Sequence, residues 1–380
     1  MHRLYFDDGY SKAEIARRLG LSKAFVVRWT ESPTQDLAVD SRGWRRGQAR
    51  RWDETTRRRI AGVHAALVSD PREFFIGATA IQHRYRQRYP DDPLPPLRTI
   101  GRWLKELGLS EPRRRPRAKG AARYLCYPEH TVYHTLGRRV LEVDFLRRHL
   151  TGRSAPLNFL GFSFKLVPKL RYFRRVQAES SATLIDSCED FFHRFETPDV
   201  LKIDNTSVAI GTGSGKRCVS RFVHDLLNQH ITPVFSVPRR PFSQASIEGN
   251  NSVFARKFWN TQTFTSVADV DHRLNWFNEC SLNYTGYTPS APAPVRPQPF
   301  VPRIYFMRQV REHPEHPARG CIDILNELVD LPADYIQYFL LAEWNLRTER
   351  LHVHLERDNH AKRIKSQSFK LNPNSRYKPV

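Results

Sequence analysis

Between Ser11 and Trp29 the apolar positions Ile15, Leu19, Leu21, Phe25 and Val26 recur at helical spacing around Gly20. Ser11 and Glu14 form a capping-box pair, so a helix starts there; Gly20 ends it, Leu21 plugs the turn, and Ser22 caps a second helix carrying Lys23, Arg28 and Trp29. This is a helix-turn-helix layout, with an ordinary helical hairpin bearing a solvated basic face as the alternative. Further helices are predicted over Thr56–Val68, Ala78–Tyr89 and, after Pro93, Pro95 and Pro96, Arg98–Leu107. The last sets Ile100, Trp103, Leu104 and Leu107 against Arg98, Arg102 and Lys105, which suits a second recognition helix. Val140–Phe145, Leu157–Val167 and Tyr172–Ala178 then have strand patterns close enough in sequence for an antiparallel meander. After them the period changes, giving helix 182–195, strand Val200–Ile203, helix 219–227, strand Thr232–Val237 and a helix from Gln244 to Phe258.

Two basic stretches and one Pro-rich stretch divide the chain. Residues 32–51 hold Arg42, Arg45, Arg46, Arg50 and Arg51 around Gly43 and Gly47, and residues 111–137 open with Arg113, Arg114, Arg115, Arg117 and Lys119. Six prolines within 288–302 preclude regular structure there. The expected organisation is therefore a helix-turn-helix unit at 1–31, a linker at 32–51, a second helix-turn-helix or winged-helix-like unit at 52–110, and a linker at 111–137. A core at 138–287, a Pro-rich linker at 288–302 and a C-terminal region at 303–380 complete it. Strand-like Cys321–Leu325, Tyr335–Leu341 and Arg350–Glu356 point to a small β-barrel there, followed by a basic tail. In the last of these, His352 and His354 alternate toward solvent.

Lys and Arg number 61 against 39 acids, a net charge of +22 that calls for a polyanionic partner. No apolar run is long enough for a membrane span and no secretory leader is evident, so a cytoplasmic, nucleoid-associated protein is expected. The five cysteines include no C-x-x-C pair, which disfavours a disulfide framework; Cys126, His130 and His134 share a local spacing but lack a fourth metal ligand.

Three strands followed by helix, strand, helix, strand and helix is the order of a ribonuclease-H-like fold, here a central α/β domain on a mixed five-stranded sheet. Three acids occupy notable places in it. Asp144 interrupts the first strand in LEVDF, Asp204 follows the VLKI strand at its carboxyl end, and Glu248 falls in the first turns of the last helix. Taken singly, Asp144 has an Arg partner as its alternative reading, Asp204 a turn cap and Glu248 a helix N-terminus.

LEVDF, KIDN and PFSQASIEGNNSVFARKFW resemble the three catalytic blocks of retroviral integrases and of bacterial insertion-sequence transposases with an integrase core, over about residues 140 to 287. The opening helix-turn-helix resembles that of many such transposases. The resemblance implies that Asp144, Asp204 and Glu248 bind Mg²⁺ or Mn²⁺, two ions per active site, and that Arg256 and Lys257 contact substrate DNA. Three departures stand out. Asn205–Thr206 replaces the usual Asn-Gly, the interval from Asp204 to Glu248 is longer than is usual, with Gly211, Gly213 and Gly215 suggesting an inserted loop, and an acidic residue often found between the first strands is missing. The implied activity is that of a transposase binding the ends of its element on double-stranded DNA, cutting them hydrolytically and joining the 3′-hydroxyl to target DNA as a homo-oligomer bridging both ends. The alternatives are a transposase-derived DNA-binding regulator and a structure-selective metal-dependent nuclease.

Overall fold

The computed structural model describes residues 1–31, 52–110, 125–137, 139–164, 170–211, 215–288, 300–376 and 378. Arg45, Arg46, Arg113, Arg114 and Arg115 lie outside the described residues, as do the linker at 32–51 and most of the Pro-rich segment. The chain forms two compact units, Met1–Arg57 and Arg58–Val380.

The smaller unit contains α1 (His2–Phe6), α2 (Lys12–Leu19) and α3 (Lys23–Trp29). The hydroxyls of Ser11 and Ser22 accept the backbone N–H groups of Glu14 and Phe25, each at 3.2 Å, and Gly20 closes α2 at φ +64°. Ile15, Ala16 and Val26 form the core with Met1, Leu4, Tyr5 and Tyr10 around them. Leu21 does not plug the turn: it is 38% exposed, and Leu19 and Phe25 are each 45% exposed. Helices this short enclose room for little more than Ile15 and Val26, so the other apolar positions stay at the surface.

In the larger unit come α4 (Glu54–Ser69, which enters it at Arg58), α5 (Ala78–Arg88) and α6 (Leu97–Glu106). Between α4 and α5, Phe74 and Phe75 pack on the long α11 (Val267–Thr285). Phe74 meets Phe277 edge-on at 5.3 Å and Phe75 stacks on Tyr284 at 4.5 Å. These helices are thereby docked on the core.

The core sheet begins with the expected meander, β1 (Val140–Arg148), β2 (Leu157–Phe164) and β3 (Arg171–Val176). Helix α7 (Ser181–Arg194) leads to β4 (Val200–Ile203), and α8 (Ser207–Ile210) and α9 (Arg221–Asn228) lead to β5 (Thr232–Phe235). Strand β4 lies parallel to β1, and β5 parallel to β4, so five strands stand in the order β3-β2-β1-β4-β5. A 3₁₀ turn at Pro241–Gln244 introduces α10 (Ala245–Phe254), which runs on through a π-turn at Ala255–Trp259.

The sheet does not stop at five strands. Strand β6 (Arg303–Gln309) pairs parallel with β5, and beyond the separate three-stranded sheet of β7 (Arg311–Glu312), β8 (Arg319–Ile324) and β9 (Glu327–Pro332) come β10 (Phe339–Asn345), β11 (Arg350–Arg357) and β12 (His360–Ser368). The result is one nine-stranded sheet, β12-β11-β10-β6-β5-β4-β1-β2-β3. Among the described residues no pairing closes the C-terminal strands into the expected barrel. Strand β6 takes up the hydrogen-bonding edge that β5 would otherwise expose, and Trp344, Val353 and Phe369 share one apolar core with Phe235 and Phe306. The strand expected over Tyr335–Leu341 starts later, because Gln337 turns the chain at φ +75°. No helix among the described residues is long and apolar enough to cross a membrane.

Candidate active site

Alternation along β1 gives Glu142 and Asp144 one face of the sheet. Lys202 of β4 stands directly beside Glu142, and Asp204 follows the end of β4. Helix α10 packs over this face. Its approach depends on Gly161, the β2 partner of Asp144: a Cβ there would stand 2.9 Å from Phe173 Cε1 and 3.2 Å from Ile247 Cδ1. The close fit seats Glu248, in the first turn of α10, where its charge acts on Asp144 and it feels that of Asp204. Asn251 Nδ2, further along the helix, donates to Asp144 Oδ2 at 2.8 Å.

The charges register this convergence. Burial, reinforced by the charges of Asp204 and Glu248, pushes the Asp144 carboxyl up to about 7, against the opposing hydrogen bonds of Asn251 and the Phe145 backbone. Burial also raises Asp204, whose Oδ1 accepts the Thr206 backbone N–H at 3.1 Å, a bond that favours the charged form. Glu248 is raised by burial and then by Glu142 and Asp204. Three acids from a strand interior, a strand end and a helix start thus share one field.

Hard oxygen donors that repel one another are suited to a divalent cation such as Mg²⁺. Buried acceptors without donors add to this: Asn251 Oδ1 and Asn205 Oδ1 have no hydrogen-bond partner. Among the described residues no three His, Cys, Asp or Glu side chains already form a metal-ligand cluster, so an ion would have to draw the acids closer.

Beneath the site lies a group that the sequence reading did not single out. The Glu142 and Lys202 side chains are fully buried, with Lys202 Nζ 3.7 Å from Glu142 Oε1. Lys202 Nζ donates to the Tyr133 hydroxyl at 2.8 Å, and that hydroxyl donates to Glu142 Oε1. The available signal was spacing, since Glu142 precedes Asp144 by two and Lys202 precedes Asp204 by two.

The chain is similar, at low identity, to solved structures of retroviral integrase cores and of a retroviral intasome. The catalytic core domain of BIV integrase is 15% identical, over 37% of this chain and 80% of that one, with a TM-score of 0.27. The HTLV-2 integrase catalytic core in complex with magnesium is 10% identical, over 37% and 85%, at 0.25. A simian T-cell lymphotropic virus intasome chain is 12% identical, over 73% and 98%, at 0.34. No family model matches the chain, and no curated protein matches it. At such low identities and scores the functional reading stands on the residues themselves.

The expected DNA-contact residues that are described all lie at the surface. Lys23 and Arg28 are exposed on α3; Arg98, Arg102 and Lys105 are exposed on α6, opposite buried Ile100, Trp103 and Leu104; Arg256 and Lys257 are exposed beyond Glu248. A cleft of about 690 Å³, lined by Arg239, Arg240, Arg308 and Arg311 together with Asp323, borders the site at Asn205 and contains none of the three acids. His130 and His134 lie ring against ring at 5.0 Å, and no cysteine forms a disulfide. His352 and His354 do not simply face solvent. They are half-buried, and Glu343 Oε2 lies 3.6 Å from His354 Nε2.

Proposed function

We propose that the protein is a DNA transposase: a metal-dependent polynucleotidyl transferase whose acids are Asp144, Asp204 and Glu248. The observation that carries this reading is the convergence of the three carboxylates: Asp144, raised first by burial, also feels the charges of Asp204 and Glu248. Structural acids need not meet in that order, and a cluster of like charges, half-buried at Asp144 and Asp204 and exposed at Glu248, is what a pair of Mg²⁺ or Mn²⁺ ions would neutralise. When bound, such ions supply the activation of an attacking water or 3′-hydroxyl and the stabilisation of the leaving oxygen in an in-line displacement.

The remaining tasks fall to the chain itself. Asn251 fixes one oxygen of Asp144, so the carboxylate holds one orientation. Exposed Arg256 and Lys257, beyond Glu248 on the same helix, hold the backbone phosphates of a bound strand, and the arginine-lined cleft beside Asn205 offers a path for its continuation. The basic faces of α3 and α6 recognise the element's ends, with the unit at 1–31 reading one part of the sequence and the unit at 52–110 another. Because an element has two ends, the working form is a homo-oligomer bridging both on double-stranded DNA.

The test is to incubate the full chain with Mg²⁺ and the DNA flanking its own gene, and to map the new 3′ ends. Cuts at a pair of matching ends followed by joining to a second DNA support the proposal. Binding without cutting identifies a regulator, and cutting without end preference or joining identifies a nuclease; either result overturns it.

A further inference from the structure

Resting on the reading of Glu248 as an active-site acid, we infer that Glu142 is a positioning residue: its buried carboxylate ties α10, and with it Glu248, to β1. Glu142 Oε2 accepts the backbone N–H of Ile247, the residue immediately before Glu248, at 2.8 Å. Ile247 lies in the first turn of α10, where helix N–H groups have no partner within the helix, and its side chain is fully buried. A carboxylate is the strongest acceptor the chain has for such a group, and near a helix N-terminus its charge is stabilised further.

The other oxygen of Glu142 is held as firmly. Tyr133 donates to Oε1, and Lys202 donates to the Tyr133 hydroxyl, so a three-residue chain from a π-turn, β1 and β4 fixes the carboxylate before it meets α10. That π-turn (Thr131–Thr135) is anchored in turn by Glu356 of β11, which accepts the backbone N–H groups of His130 and Thr131 at 2.8 and 2.7 Å. Hydrogen bonds at both ends of the π-turn, joined through its backbone, therefore connect the C-terminal strands to the residue beside Glu248. An ion pair buried this completely is not needed for stability, because apolar residues of similar volume commonly serve as well. Its use here is orientation.

The experiment compares two doubly substituted full-length proteins that differ at one position. Glu142→Gln with Lys202→Met removes both charges and leaves an oxygen acceptor for Ile247; Glu142→Met with Lys202→Met removes the acceptor as well. The readouts are Mg²⁺-dependent cutting, DNA affinity, and hydrogen exchange at the Ile247 amide. The expected result is that the Gln protein cuts within about threefold of the natural protein and keeps Ile247 protected. The Met protein should lose about 100-fold in cutting, as misplacement by an ångström does, and exchange Ile247 at least about tenfold faster, with DNA affinity unchanged. If the Met protein does not fold, Glu142→Asp, which withdraws the carboxylate by one methylene, should show the same split. Equal cutting by the Gln and Met proteins, or a protected Ile247 amide in the Met protein, overturns the inference. If the natural protein cuts no DNA, the functional proposal fails, while exchange at Ile247 still decides whether Glu142 holds the helix.

Discussion

Replacing Asp144 by Asn in metal-free protein should raise stability, and should do so only above acid pH. In the folded chain the Asp144 carboxyl is pushed up from 3.8 to about 7 by burial and by the charges of Asp204 and Glu248. Below pH 4 the group is protonated in both folded and unfolded chains, so it contributes nothing. Between about pH 4 and 7 the folded chain keeps a proton that the unfolded chain has lost, so stability falls as pH rises; above 7 the deficit is constant. The difference between the two protonation states amounts to about 4 kcal/mol as a ceiling, and about 2–4 kcal/mol is expected. For a unit of this size roughly 1.5 °C accompanies each kcal/mol, so the variant should melt about 3–6 °C higher at pH 8 in EDTA and together with the natural protein at pH 4. The substituted amide still offers an oxygen to Asn251, so the hydrogen bond at Asp144 is not lost. Calorimetry across that pH range, with and without Mg²⁺, measures the difference. Mg²⁺ should stabilise the natural protein more than the variant, since an ion that binds only the folded chain at a hundred times its Kd adds about 2.7 kcal/mol. Identical melting at pH 8, or an advantage that grows toward acid, would refute the account of a charged cluster at Asp144.

Metal identity should separate assembly from turnover: Mg²⁺ or Mn²⁺ supports cutting, whereas Ca²⁺, with longer and more numerous ligand distances, allows DNA binding without products on a gel. Gly161→Ala should force α10 off β2, costing about 1–3 kcal/mol in denaturant unfolding and lowering cutting far more than DNA affinity. Changing Arg98, Arg102 or Lys105 to Ala should each weaken DNA binding and reduce the salt slope of affinity by about one; unchanged slopes would remove α6 from the interface.

The order of elements in the core was legible because it rests on local periodicity. Val200–Ile203 is a strand with the bounds its apolar run suggests, and the three-strand meander follows from short connections. The places of Asp144, Asp204 and Glu248 on those elements were legible for the same reason. What the sequence concealed is non-local. The pairing of β1 with β4 sets Glu142 against Lys202, and the pairing of β5 with β6 spans the Pro-rich segment and merges an expected barrel into the sheet. At the N-terminus the periodic pattern marked Leu19, Leu21 and Phe25 as interior, but it carries no measure of how many residues three short helices enclose. The docking of Phe74 and Phe75 on α11 was equally hidden, since both partners lie in segments whose own patterns do not mention each other.

A sheet of nine strands has two ends, and the protein guards each differently. At β3 the Asn278 side chain mimics a neighbouring strand, accepting the Phe173 N–H at 3.0 Å and donating to its carbonyl at 2.7 Å, so the outward backbone groups at the middle of that edge are already taken. At β12 no strand among the described residues pairs with the outer edge, and Lys362 and Arg363 are exposed along it. Two copies brought edge to edge would set these cations against one another, which discourages fusion of their sheets into a fibre. The same row of charge weakens as salt rises. Solutions concentrated at high ionic strength are therefore where this chain is most exposed to strand-mediated aggregation.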